Sequence, residues 1–465
     1  MTHPRPLERT LEQAPDPSAS VKHSHTTAAP AEEAAGLRLS GQNAGLRMLQ
    51  PYLQRAHARS AERWARKVEK CISIDHLRQV MEKRVPPIVR EYYRGGADNE
   101  ITLRDNVEAF QRERFKPRSA VQLDSVEMQT EILGHTIGLP VIAAPIGSTR
   151  MLWPRGEAVA AKAIGEAGTI CTLSTMTGTD LEEVRAASRG PCWYQLYLVG
   201  GKDVAARGIE RAKNAGYSAL VLTIDTAVAG NRAQHEWLGA SQAINGTPFQ
   251  KLKFGPQMLP HLSWLKSFYA DGGMMQFRNV ILNNGQPMPY ADVGAQLRAS
   301  VVTWEHLPWI REVWGKDKPI LMKGVQCVED AQLAVEHGVD GIIISNHGGR
   351  QMDRVYPTLY VLKDIASKLK GSKMKILLDG GIRSGGDVVI ALAHGADAVL
   401  AGRAYVYGLG AGGEAGVRKA FAILKKEIED TMRLLGCASI HDLNAEEHLL
   451  PYPFTSEGLR PVTSS

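Results

Sequence analysis

Cysteine is scarce in this chain. Its five copies, Cys71, Cys171, Cys192, Cys327 and Cys437, lie far apart among 465 residues, with no CxxC pair. That spacing suggests neither a disulfide framework nor a thiolate metal site, so no metal is expected, and a reducing compartment suits it best. Long apolar runs are missing too. None approaches the roughly 18 residues of a spanning helix, and the opening residues lack the apolar block of a secretory signal. The expected location is the cytoplasm. An excess of one charge is also lacking: 55 basic and 49 acidic residues leave a net +6, spread along the chain rather than gathered in a tract that could hold a nucleic acid.

What is present is a repeat. Residues 1–40 are rich in Pro, Ser, Thr, Ala, Gly and His and read as mostly disordered, and Met48 to Lys70 has helical spacing with many charges. Together, residues 1–70 read as a disordered or helical N-terminal extension, 71–455 as the main domain and 456–465 as a tail. From Pro140 a short apolar, β-branched run is followed by a polar or glycine-rich loop and an amphipathic stretch, eight times over. The runs are PVIAAP (140–145), TICTLST (169–175), CWYQLY (192–197), ALVLTID (219–225), ILMKGV (320–325), GIIISN (341–346), KILLDGG (375–381) and AVLAGR (398–403). Near-continuous apolar character suits parallel strands covered on both faces, and eight such units can close into an α/β barrel of the (β/α)8 TIM type. An open doubly wound sheet is the alternative. The GxGxxG spacing of Gly408, Gly410 and Gly413 is set aside, because it follows the last repeat rather than the first turn of a βαβ unit. The excursion after the fourth run is too long for one loop and one helix, which predicts an insertion over 233–300.

In a closed barrel the carboxyl ends of the strands share one mouth. Here those ends carry Ser174, Gln195, Tyr197, Thr223, Asp225, Lys323, Ser345, His347, Asp379 and Arg403. Lys323 directly follows ILM inside a run that should be buried, so it needs a charged partner or ligand to offset desolvation. DGGIRSGGD (379–387) and AGRAY (401–405) gather Gly380, Gly381, Arg383, Gly402 and Arg403 on the last two strands, where barrels commonly bind phosphate. In SNHGGRQMD (345–353), His347 can titrate near neutrality and Arg350 can pair with a carboxylate. Asp225 is placed to stabilise the imidazolium formed when His347 takes a proton.

These motifs resemble the FMN-dependent 2-hydroxy acid dehydrogenase and oxidase family, most of all its bacterial mandelate and flavin L-lactate dehydrogenases. The resemblance runs from about Ser73 to Leu450 and rests chiefly on SNHGGRQMD. Support comes, in family order, from EYYRGGADNEITLRDN (91–106), FKPR (115–118), YQLY (194–197), LTIDT (222–226), MKGV (322–325), DGGIRSGGD and AGR (401–403). It implies FMN-dependent oxidation of an S-2-hydroxy acid to the 2-oxo acid. By that resemblance Tyr92 and Tyr197 face the substrate, Arg232 and Arg350 hold its carboxylate, and His347 is the base with Asp225 behind it. Lys323 would stand near flavin N1 and O2; Ser174, Gln195 and Thr223 would bond the isoalloxazine, with Ser345 also at the cofactor; and the Pro145, Ile146 and Gly147 backbone would pass N5. Asp379, Gly381, Arg383, Gly402 and Arg403 would hold the ribityl phosphate.

Two departures qualify the resemblance. Val228 stands where the family often has an arginine, and Gly147 stands where many oxidases have alanine, which suggests looser packing beside N5. SVVTWEHLPWIREVW (300–314) is similar to the dehydrogenases and favours a quinone or other non-oxygen acceptor over oxygen. Rival readings are an oxygen-using oxidase or monooxygenase, another FMN barrel activity, and a scaffold that keeps FMN without catalysis. The resemblance further implies a homo-oligomer, specifically a homotetramer. Residues 250–280, where lysines mix with aromatic and aliphatic side chains, are expected to make peripheral contact with the inner face of the cytoplasmic membrane, with an active-site lid or an oligomer contact as the alternative.

Overall fold

Side chains alternate across a strand, so in a closed barrel every second residue enters the interior and the rest pack under the helices. The computed structural model, which describes residues 31–298 and 300–450, follows this rule through eight parallel strands. These are β1 (Val141–Ala143), β2 (Cys171–Ser174), β3 (Cys192–Leu196), β4 (Ala219–Thr223), β5 (Ile320–Val325), β6 (Gly341–Ile344), β7 (Lys375–Leu378) and β8 (Ala398–Ala401). Each pairs with the next, and β8 returns to β1, so the sheet is a closed barrel and not the open sheet held as the alternative. Each of the eight apolar runs supplies one of these strands.

Two hydrophobic clusters divide by strand parity. Ile142, Trp193, Val221, Leu321, Ile343, Leu377 and Leu400 fill the barrel, together with Ile132 and Ile137 from a hairpin (Thr130–Ile132 and His135–Ile137). Their neighbours Val141, Tyr194, Leu220, Met322, Ile342, Leu378 and Val399 pack outward with the helices. Burying each large aliphatic side chain contributes about 1.5–3 kcal/mol, which outweighs the modest strand preference of any single residue.

Contacts divide the chain into residues Met1–Leu49 and Gln50–Ser465. Residues 1–30, with the disorder expected of them, and the tail, 451–465, lie outside the described residues; α1 spans Ala31–Glu69. Within the second unit Trp64 and Val68 of α1 are buried. An added Cβ on Gly412 would come within 2.7 Å of Val68, so within this unit the last turns of α1 pack on the barrel domain at that glycine. Helices α2 (Ile74–Arg84), α3 (Pro87–Arg94) and α4 (Ile101–Arg112) follow.

The final helix, Arg403–Leu435, carries the GxGxxG glycines, and they serve packing. Gly410 abuts Met81, while Gly413, at φ 60°, lies against the Trp153 indole at a kink. Between β4 and β5 the insertion forms short helices, including Ala233–Trp237, Ala240–Asn245 and Leu262–Ala270, then a two-stranded ribbon, Gln276–Ile281 with Pro287–Pro289. Not all of its apolar residues face outward. Trp264, Met275 and Phe277 are buried, whereas Leu259, Leu262, Tyr269 and Met274 are exposed; the side chain of Lys251 lies outside the described residues.

Candidate active site

The interior parity continues past the apolar layers. Two residues beyond Trp193, Val221, Leu321, Ile343, Leu377 and Leu400 come Gln195, Thr223, Lys323, Ser345, Asp379 and Gly402. The same alternation that builds the core therefore brings them to the carboxyl mouth, where a cavity of about 410 Å³ opens. Fifteen of the nineteen sequence-predicted site residues line it: Tyr92, Pro145, Ile146, Gly147, Ser174, Tyr197, Arg232, Lys323, His347, Arg350, Asp379, Gly381, Arg383, Gly402 and Arg403. Asp225, Gln195 and Ser345 stand behind them and hydrogen-bond His347, Ser174 and Lys323, and Thr223 in turn accepts from Gln195.

Lys323 is 4% exposed. Its Nζ lies 3.1 Å from Asp379 Oδ2 and donates to Ser345 Oγ at 2.8 Å, which gives the buried ammonium the partner its position requires. Asp379 Oδ1 is buried without a hydrogen-bond partner, an acceptor left for a bound hydroxyl. Ser174 Oγ donates to Gln195 Oε1 at 2.9 Å, and Gln195 Nε2 donates to Thr223 Oγ1 at 2.9 Å, a polar chain across three adjacent strand ends.

His347 has φ 59°, and Gly348 and Gly349 continue the left-handed run at 63° and 72°. Such a conformation in a non-glycine residue persists only where its surroundings enforce it. Gly349 is required because a Cβ there would come within 2.6 Å of the Leu103 backbone of α4. Asp353 accepts from the amides of Asn99, Ile101 and Thr102 at the start of α4, so the last residue of SNHGGRQMD anchors the loop. Gln351 donates to the carbonyls of Asp225 and Val228, so the exposed Val228 leaves the Asp225 loop pinned without the family arginine.

The His347 Nδ1 faces Asp225 at 3.0 and 3.2 Å. A carboxylate there accepts the Nδ1 proton and leaves Nε2 as the basic nitrogen on the cavity side. Burial holds the imidazole below 6.5; Asp225 opposes this, while Lys323 and Arg350 add to it. Burial raises Asp225, but His347 and Lys323 outweigh it and keep the carboxyl below 3.8. His347 is therefore neutral near pH 7. Flavin reduction should be flat around neutrality and fall only through a midpoint below 6.5, and Asp225→Asn should move that limb lower still; a wild-type limb above 6.5 in an anaerobic pH series would contradict this. The same depressed value places the stability contribution of His347 above its ordinary pKa, to be lost as the pH falls through the folded one.

Arg232 and Arg350 flank the Tyr92 ring, with guanidinium carbons 5.4 and 5.2 Å from its centroid. Burial lowers the Arg350 pKa, and Arg232 and Arg403 lower it further. Arg232 Nε is buried without a hydrogen-bond partner. Crowded guanidiniums with an unused donor favour an anion. The lining carboxylate Glu236 accepts a hydrogen bond from Ser241 at 2.7 Å.

Arg403 differs from expectation. It lines the cavity, but its guanidinium bonds the carbonyls of Tyr93, Arg94, Gly95 and Gly348. Arg383 Nη1 donates to its neighbour's carbonyl at 2.8 Å. The helix Gly385–Ala393 is closed by a Ser384/Asp387 capping box, whereas the helix starting at Arg403 has no side-chain cap at Gly402, which leaves its amide end open to a phosphate. Gly147 also corrects the sequence reading. A Cβ there would sit 2.8 Å from the Met176 carbonyl, so the expected loose side is filled.

The sequence reading missed Met176, His235, Phe277 and Tyr290, all of which line the cavity. The last three come from the insertion, whose irregular pattern carries no signal for which side chains turn inward.

A closed barrel with a histidine–carboxylate pair, a buried lysine and a glycine–arginine cradle at its mouth fits a flavin-nucleotide oxidoreductase of the (β/α)8 class. The family model described as FMN-dependent dehydrogenase matches residues 81–450, and the chain belongs to that family. An L-lactate dehydrogenase of Xanthomonas axonopodis pv. citri is 39% identical over 79% of this chain and 94% of its own. A peroxisomal (S)-2-hydroxyacid oxidase of Arabidopsis thaliana is 36% identical over 81% and 96%. Among solved structures, the monotopic membrane protein (S)-mandelate dehydrogenase superimposes with a TM-score of 0.75 at 33% identity, covering 82% of this chain and 99% of that one. The cofactor is FMN, and the reaction is oxidation of a 2-hydroxy acid.

Proposed function

We propose that the chain oxidises an S-2-hydroxy acid, lactate-like or mandelate-like, with His347 as the base, and passes the electrons to a quinone or another non-oxygen acceptor. The observation that carries this reading is the His347–Asp225 pair facing a cavity that also holds Arg232 and Arg350. FMN, when bound, supplies the two-electron sink. Asp379, with its unpaired Oδ1, would meet the ribityl chain, Gly381, Arg383 and Gly402 the phosphate, and Lys323 would offset negative charge on the reduced ring. Arg232 and Arg350 fix the substrate carboxylate, Tyr92 and Tyr197 shape the space above it, and His347 accepts one proton. Whether that proton leaves the hydroxyl as C2 gives up a hydride, or leaves C2 first, the electron pair and the other hydrogen would go to FMN, which leaves a 2-oxo acid, reduced FMN and a protonated His347.

Anaerobic bleaching of the FMN-loaded protein by a panel of aliphatic and aromatic S-2-hydroxy acids tests this directly. Arg350→Met should raise the substrate concentration needed and slow reduction by at least about tenfold, the scale of one lost charge-assisted hydrogen bond. An unchanged response would reject the anchor role. Reoxidation by oxygen against a quinone or dye separates the dehydrogenase from the oxidase reading.

No helix among the described residues is long and apolar enough to cross a membrane. Leu259, Leu262 and Met274 nevertheless stand exposed beside Lys253 and Lys266, and Trp237 is 87% exposed nearby in sequence. This supports peripheral membrane contact through 250–280, in a protein that assembles as a homo-oligomer. Wild type should float with anionic liposomes at low salt, and a variant with residues 250–280 replaced by a soluble linker should not. Equal flotation of the two would end the anchoring idea.

A further inference from the structure

A second cavity, of about 600 Å³, shares one wall with the first, and the exposed Leu252, Leu259, Leu262, Tyr269 and Met274 are among the residues that line it. Its lining contains no Asp, Glu, Lys or Arg; Ile88 and Val89 of α3 form one side, and insertion residues such as Phe254, Met258, Leu265 and Phe268 form another. The indole N–H of Trp264 is already spent on the Met151 carbonyl at 2.7 Å. Five residues line both cavities: Tyr92, His235, Ala240, Ile244 and Tyr290. The partition therefore begins at Tyr92, the ring both guanidiniums flank, and its smallest member is Ala240. Burial pushes His235 down to about 4, with Arg232 adding to the shift, so the partition presents a neutral imidazole at pH 7.

A space of this size is within the ordinary range for a small-molecule pocket, yet it holds no charged group with which to orient an occupant. Any molecule held there in one pose needs an anchor elsewhere. The nearest is the arginine pair across the partition.

We propose that the second cavity receives the substrate's tail, so that this chain prefers 2-hydroxy acids bearing an extended alkyl or arylalkyl group over lactate. The inference rests on the 2-hydroxy acid reading above. With the carboxylate on Arg232 and Arg350, the C2 substituent passes Ala240 into the apolar space, and each methylene leaving water strengthens binding by roughly fourfold until the cavity is filled.

The test uses the full-length, FMN-loaded protein and anaerobic stopped-flow reduction by S-lactate, S-2-hydroxyoctanoate and S-2-hydroxydodecanoate. Ala243→Phe and Met258→Trp, which fill the second cavity without lining the first, are compared with wild type. The second-order reduction constant of wild type should rise steeply with chain length, and both variants should lose the rise while keeping the lactate rate. A flat chain-length series, with every acid still bleaching the flavin, overturns the tail pocket and leaves the 2-hydroxy acid reading standing. Equal slowing of all acids in both variants overturns it too. So would variants impaired only in reoxidation by decylubiquinone, which would give the cavity to the acceptor. If no acid bleaches the flavin, both readings fall together.

Discussion

His347→Gln is expected to slow reduction of the bound FMN by a factor of roughly 100 or more, the usual contribution of a positioned general base. Glutamine keeps a polar side chain of similar reach, so the left-handed backbone and the Asp225 contact can persist while the proton acceptor is lost. The Ser345–Lys323–Asp379 network touches the histidine only through its backbone amide, which donates to Ser345 Oγ at 3.1 Å. FMN content should therefore be unchanged. Single-turnover reduction under nitrogen reads the chemistry without the acceptor step, and a rate within a few-fold of wild type would remove His347 from the role of base.

Lys323→Met should have the second large effect, on stability as well as on rate. The ammonium lies inside β5, and its loss would leave the Asp379 carboxylate buried and unpaired; breaking a buried pair in this way costs about 3–5 kcal/mol. Lys323→Met/Asp379→Asn should regain much of that loss, because neither charge then remains. Denaturant unfolding of the apoproteins measures the stability of all three forms. A single variant as stable as wild type would mean that the pair carries no such strain. The double variant should still reduce its flavin slowly, which separates fold stability from the charge that Lys323 is proposed to supply beside the reduced ring.

Strand parity explains how much of the site could be read in advance. Once the interior position of each apolar run is known, the residue two steps on is fixed at the mouth, and Gln195, Thr223, Lys323, Ser345 and Asp379 all follow from that rule. His347 and Asp225 lie beyond the strands, and their contact depends on three successive left-handed residues that no periodicity reveals. Arg403 was legible as a residue of the mouth but not in its bonding, because three of the four carbonyls it meets come from Tyr93, Arg94 and Gly95, more than 300 positions away. In the insertion the pattern could not separate inward from outward residues. Phe277 stacks on Tyr290 with centroids 5.2 Å apart, while Leu259, of similar hydropathy, is exposed.

The bonds of Arg403 bear on whether this barrel can be treated as interchangeable parts. Eight similar units invite recombination, such as grafting β5 to β8 onto the first half of another barrel. That half would bring His347, the lysine and Arg403, but Asp225 would stay behind, and so would the C-terminal end of α3, whose carbonyls hold the guanidinium. A graft lacking residues 93–95 would leave a buried cation with the Gly348 carbonyl as its one remaining partner among those described, a penalty that improved strand pairing could not relieve. In this molecule the inheritable module is the barrel together with the segment that precedes it.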